Sequence, residues 1–279
     1  MPVGAAAATI LAAGTLVFAL HRTPPEPAPA SAVMAAGPGI VAEGPAGLIV
    51  RDGDLVEASG PVEKGSTMCS PAPVPAIYGP CPHGIRVPGI KPTDGVTLRG
   101  RWHPSGLSDI RRMPYSPPSG GVLGDSDLPD TPPCPAPAGG WRDGEDWVDD
   151  RVRDHLHARP DQFAEPFATH VGNARVLVVE VVSGDVDQAR AALTATYSDN
   201  LCVVAAPGGH SIAAEERLQA TVGEAVRALM DADPGIYLAG SEDGKMRVMM
   251  LQLTQPLYDR LAAIGLDHLI VDPWIRPAR

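Results

Sequence analysis

The stretch Arg175-Val-Leu-Val-Val-Glu-Val-Val-Ser-Gly-Asp185 decides the fold. Its run of β-branched and leucine side chains over 176–182 reads as a strand, the most apolar stretch outside the N-terminus. Ser-Gly-Asp then ends the strand and opens a helix. Working forward, a helix over 186–197 puts Val186, Ala189, Leu193 and Tyr197 on one face. A second strand follows at 200–205. Pro207-Gly-Gly-His-Ser211 leads into a longer helix with Ser211 as N-cap and Leu218, Val222, Val226 and Leu229 on its buried stripe. Strands at 236–239 and 246–253 form a hairpin around Glu242-Asp-Gly-Lys245. Pro256 suits the first turn of a helix through Leu257, Leu261 and Ile264, which Gly265 caps. Residues 269–271 are the last strand, stopped by Asp272-Pro273. The order is βαβαββαβ, and its last six elements spell a ferredoxin-like plait with one βα unit in front. Working backward, Val148, Val152 and Leu156 recur at helical spacing beside Trp147, so 143–158 reads as a helix closed by Pro160. This α/β plait domain is expected over 141–279.

The fold class is therefore α+β. Pro and Gly, 31 and 30 of 279 residues, crowd the first half and make it rich in loops. Aromatic residues are only 4%, so the core must be built from Val, Leu, Ala and Met. A net charge of −11, with lysine only at Lys64, Lys91 and Lys245, argues against nucleic acid, whose binding is led by cations neutralising phosphate.

Residues 3–20 are uncharged and apolar. As a helix they span about 27 Å, the thickness of a bilayer core. Residues 1–22 are thus expected to be a single transmembrane anchor or signal segment. Ala30 and Ala32 offer a cleavage pattern, but they lie beyond Pro24, Pro25, Pro27 and Pro29. His21 and Arg22 follow the run, which by charge alone favours a cytoplasmic body. Two considerations override that: the cysteines below, and a start site that, if called too late, would hide a basic leader. The expected location is the plasma membrane, single-pass, with the body extracytoplasmic, or secretion after cleavage.

Residues 23–38 are a Pro/Ala-rich spacer. A small β domain, barrel-like, with an OB-like barrel as one topology, is expected over 39–115. Gly47-Leu-Ile-Val-Arg51 and Asp54-Leu-Val-Glu-Ala58 flank Asp52-Gly53 and read as a hairpin. Further strands are expected at 84–87 and 96–102. Residues 116–140 form a Pro/Gly-rich linker. Cys69, Cys81, Cys134 and Cys202 read as a disulfide framework with three arrangements open. Cys69–Cys81 would close a local loop, and Cys134–Cys202 would tie the linker to the C-terminal unit. Four reduced thiols are the rival reading. No spacing suits a cysteine metal site.

Several segments resemble exported or membrane-anchored actinobacterial proteins: Tyr78-Gly-Pro-Cys81, Thr97-Leu-Arg-Gly-Arg-Trp102, Pro132-Pro-Cys-Pro-Ala-Pro-Ala-Gly-Gly-Trp141, Val179-Glu-Val-Val-Ser-Gly-Asp-Val186 and Asn200-Leu-Cys-Val203. The resemblance spans about residues 40–275. It implies export and paired cysteines, and it supplies no active site.

Chemical signatures are few. Gly208-Gly209-His210-Ser211, between a strand and a helix, could present backbone N–H groups to an anion. It lacks the P-loop Lys and the dinucleotide fingerprint, so a tight turn with a helix cap explains it more simply. His210, Ser211 and Asp185 are the weak candidates for catalysis. Trp141 and Trp147, flanking acidic residues 143–150, are candidates for binding together with Gly208 and Gly209. His83, beside Cys81, is a weak metal candidate. Asp125, Asp127 and Asp130 lack the spacing of a calcium loop. His155 and His157 are two apart and cannot share a metal on a helix. No cofactor or metal is expected. The functional expectation is a membrane-anchored, non-enzymatic binding module for a protein, peptide or cell-wall partner. The alternative is an envelope hydrolase or transferase with its site near the 207–211 loop.

Overall fold

The structure, a computed structural model, describes residues 44–70, 81, 83–116, 131–143 and 150–278. The apolar segment 1–22, the spacer 23–38, Trp147 and the Asp125–Asp130 cluster lie outside these residues. Among the described residues no helix is long and apolar enough to cross a membrane.

The architecture is mixed α+β and mostly sheet. One eight-stranded sheet curls at its front half, and a separate three-stranded sheet lies within the C-terminal half. Strand β1 (Leu55–Glu63) alternates buried and partly exposed residues, as a strand with one covered face must. On one side it pairs antiparallel with β4 (Thr93–His103). On the other it pairs with β2 (Thr67–Cys69) near its end and with the last strand near its start. A register shift between Gly60 and Val62 lets β1 bend between these neighbours. Gly60 is required there, since a Cβ would lie 2.3 Å from the Cys69 carbonyl oxygen. β3 (Gly84–Arg86) pairs with β2, and β5 (Gly106–Met113) pairs with β4. The inner faces bury Val56, Ala58, Val62, Met68, Ile85, Leu98, Trp102 and Leu107.

The hairpin expected around Asp52-Gly53 is corrected. The turn forms, with Gly53 at φ 84°. The residues before it do not pair with β1. Pro45–Leu48 is a short 3-10 helix, Ile49 bridges Leu253, and Val50 donates to the Leu253 carbonyl. The backbone pairing of Ile49 and Val50 with Leu253 wins over the local turn signal.

In the C-terminal half, α1 is Asp150–His157 and buries Val152 and Leu156. β6 (Phe167–Val171) pairs antiparallel with β7 (Ala174–Val181), and β7 pairs parallel with β8 (Leu201–Ala205) across α2 (Val186–Thr196). One face of this small sheet packs on α1 and α2 through Leu177, Val179, Val181, Leu193 and Val203. The other face, Val176, Val178 and Cys202, is covered by segment 131–143 through Cys134 and Trp141.

After β8 the chain is helical from 212 to 232: α3 (Ile212–Leu218), a π-turn at Gln219–Gly223, and α4 (Glu224–Ala232). Leu218, Val222, Val226 and Leu229 are buried, as their spacing requires. They pack on β9 (Ile236–Glu242), β10 (Lys245–Gln252) and β11 (Leu269–Pro277), with α5 (Gln255–Ile264) beside them. Thr254 caps α5 and Gly265 follows it at φ 116°.

Two expectations change here. The single plait sheet is divided, because β8 pairs with β7 instead of entering between β10 and β11, which pair directly and parallel. The last strand is also not stopped by Asp272-Pro273. It runs on to Pro277 and joins β1 at Val56–Glu57, so one sheet spans both halves of the chain. Pro273 is tolerated because it falls where β11 has β10 on one side and has not yet reached β1.

Candidate functional site

The two loops expected to carry chemistry come to one end of the small sheet, since β7 and β8 are parallel and both loops follow their C-terminal ends. Their polar groups serve backbone. Asp185 Oδ1 accepts from the N–H groups of Asp187 and Gln188 at 2.8 and 2.9 Å, capping α2. Ser211 Oγ accepts from Ala214 N–H at 3.2 Å, capping α3, and the residue is buried. Gly208 has φ 88° and Gly209 N–H donates to the Ala206 carbonyl, a tight turn. A Cβ on Gly209 would meet Val182 Cγ1 at 3.1 Å, so the two loops touch. His210 turns away to the β9–β10 hairpin, where its ring lies over Gly244. A Cβ there would come within 2.1 Å of the ring. Glu215 of α3 accepts a hydrogen bond from Ser241 of β9 beside it. The 207–211 loop thus works as a joint between the small sheet and the hairpin.

Trp141 packs against the Val176–Val178–Cys202 cluster together with Cys134. Segment 131–143 is held there twice. Cys134 and Cys202 form a disulfide with Cα atoms 5.9 Å apart. Asn200 clasps the backbone of Arg142, with Oδ1 accepting from its N–H at 2.9 Å and Nδ2 donating to its carbonyl at 2.7 Å. Cys69 and Cys81 form the second disulfide, Cα atoms 5.3 Å apart. Cys81 therefore has no thiolate for a metal, and His83 instead stacks on Tyr237 with ring centroids 4.9 Å apart. Among the described residues no group of three metal-ligating side chains occurs.

The sequence reading did not anticipate the polar network on the β9–β11 face. Arg247 reaches Glu242 at 2.8 Å and Asp272 at 3.5 Å, and Arg276 also contacts Asp272. Asp272 is 7% exposed, so its charge is held by these two guanidinium groups. Tyr237 adjoins them. Burial pushes its phenol above the ordinary value against a hydrogen bond with Ser70, and nearby Asp272 adds to the rise. Burial holds the His83 imidazole below its ordinary value. The residues are scattered from 70 to 276, with no short motif to reveal them. A second unanticipated group, Asp52, His103 and Ser108, lies on the outer face of the front sheet.

No family model, no curated protein and no solved structure matches this chain.

Proposed function

We propose that this chain is a membrane-anchored extracytoplasmic protein whose folded part is a binding module for a protein, peptide or cell-wall partner. The observation that carries the reading is the pair of disulfides, Cys69–Cys81 and Cys134–Cys202, which take up all four cysteines. Such bonds persist in oxidising compartments and are rare in the cytosol. The apolar run at 3–20 would supply the anchor, and the resemblance to exported actinobacterial proteins belongs to the same proposal. We read the front five strands as an OB-like barrel. Its support is the order β3-β2-β1-β4-β5 with β3 abutting β5, where a Cβ on Gly106 would meet the Arg86 carbonyl oxygen at 2.3 Å.

For the binding surface we favour β9. Among the described residues it ends the large sheet with one strand neighbour, and it presents the half-buried Leu238. An extended partner segment can add to such an edge through main-chain hydrogen bonds. The hydrolase or transferase alternative at 207–211 has less support, because Asp185 and Ser211 are occupied as helix caps. Crosslinking in intact cells, with a photoreactive group at Leu238 and a control at Asp187, tests the reading. A reproducible partner at Leu238 alone supports it. Labelling equal to the control, or a reduced protein recovered from the cytosol, overturns it.

A further inference from the structure

On the outer face of the front sheet, three side chains from three neighbouring segments form a continuous hydrogen-bonded chain. Asp52 lies in the turn before β1, His103 ends β4, and Ser108 lies on β5. His103 Nδ1 is 2.7 Å from Asp52 Oδ1, and His103 Nε2 is 3.1 Å from Ser108 Oγ. In the tautomer that carries the proton on Nδ1, the ring donates to Asp52 and Nε2 accepts from the Ser108 hydroxyl. This is the order required of a nucleophile, a general base and the group that orients the base.

The backbone holds the three groups in place. Gly53 N–H donates to the Trp102 carbonyl at 2.8 Å and Trp102 N–H to the Asp54 carbonyl at 2.9 Å, which sets the Asp52 turn beside the end of β4. Ser108 is directly cross-strand from Arg101, and His103 from Gly106. Next to Ser108 the ladder shifts register, and Asp109 takes φ 50°, a backbone state that a non-glycine residue rarely adopts. Bulges of this kind re-aim side chains. Arg101 Nη1 donates to the Gly53 carbonyl at 2.8 Å, which holds a guanidinium on the same face as Ser108. His103 is about a third exposed and Asp52 more so, so a substrate can approach from solvent.

We propose that Asp52, His103 and Ser108 form a nucleophilic relay that hydrolyses acyl esters able to lie on this open sheet face. In the first step Ser108 Oγ bonds to the ester carbonyl carbon while its proton passes to His103 Nε2. The charge developing on the carbonyl oxygen is met by the Arg101 guanidinium. The carbon–alkoxy bond then breaks, and the proton on Nε2 leaves with the alcohol. In the second step water gives a proton to Nε2 and its oxygen bonds to the acyl carbon. The Ser108–acyl bond breaks, the serine regains the proton, and the carboxylic acid departs. Asp52 touches only His103 and is a positioning residue. This activity is independent of partner binding at β9.

The test uses the full chain and an alkyl fluorophosphonate, in which a serine–phosphorus bond replaces phosphorus–fluoride. Wild type is expected to take one probe on Ser108, located by peptide mass spectrometry. Ser108→Ala should abolish labelling, and His103→Gln should slow it at least tenfold. Asp52→Asn should slow it about as much, while Asp52→Glu restores part of the rate. Hydrolysis of p-nitrophenyl acetate should follow the same order. Far-ultraviolet circular dichroism and intact disulfides report that each variant is folded. An unlabelled wild type, labelling elsewhere, or equal rates in wild type and Ser108→Ala overturns the proposal.

Discussion

Removing the long disulfide should cost more than removing the short one. Cys134–Cys202 bridges a sequence separation of 68 and Cys69–Cys81 one of 12. If each bond acts by restricting the unfolded chain, the long loop contributes about 4.4 kcal/mol and the short one about 2.8 kcal/mol at 25 °C. Packing adds to the difference, because the long bond pins segment 131–143 over Val176 and Val178, both without solvent exposure. The comparison uses two double variants, Cys134→Ala/Cys202→Ala and Cys69→Ala/Cys81→Ala, each unfolded in urea. A loss of about 4 kcal/mol lowers the melting temperature by roughly 8–16 °C for a chain of this size. The Asn200–Arg142 clasp should remain in the first variant and keep the segment partly docked, so the measured loss should not far exceed the entropic figure. Equal losses, or a larger loss for the short loop, would refute the reasoning that loop length and the covered sheet face set the order.

Further outcomes follow from the packing and the titrating groups. Val179, fully buried in the α1–α2 core, should not tolerate Val179→Asp, because an unpaired buried carboxylate has no compensation; native-like tryptophan emission and a cooperative melt in that variant would contradict this. Gly244→Ala should destabilise by about 1–3 kcal/mol, since it adds a Cβ at φ 69° against the His210 ring. A double-mutant cycle with His210→Ala should recover the part due to the clash, and strict additivity would count against the contact. Burial lowers the folded-state pKa of His83 below its unfolded value, so below that unfolded value the unfolded chain binds more protons than the folded chain. The His83 contribution is therefore present above the unfolded value and is lost as pH falls from there toward the folded value. His155 is shifted in the same direction by burial and by Arg159. The difference in urea midpoint between wild type and His83→Gln should change across that range; a constant difference would show that the burial is not felt.

The sequence was most legible where local chemistry and burial agree. The 176–182 run is β7 to within two residues, α2 opens at Asp185 as its side chain directs, and Ser211 and Gly265 cap as expected. It was least legible where long-range pairing decides. Ile49 and Val50 leave a sound hairpin turn to meet Leu253, and β11 passes through Asp272-Pro273 to reach β1. Whether β8 joins β7 or enters the second sheet depends on which edges are open, and the periodicity of 201–205 is the same in either place. For the candidate sites the motif at 208–211 drew attention to groups that cap helices. The chains through Asp272 and through His103 are assembled from residues far apart in sequence and carry no motif.

The most direct measurement is thiol alkylation and intact mass of the native protein, isolated without reductant from its own cells. The account predicts no alkylation after denaturation and four alkyl groups after reduction, one for each cysteine. Four alkyl groups before reduction would contradict it and remove the ground for placing the folded part outside the cytoplasm.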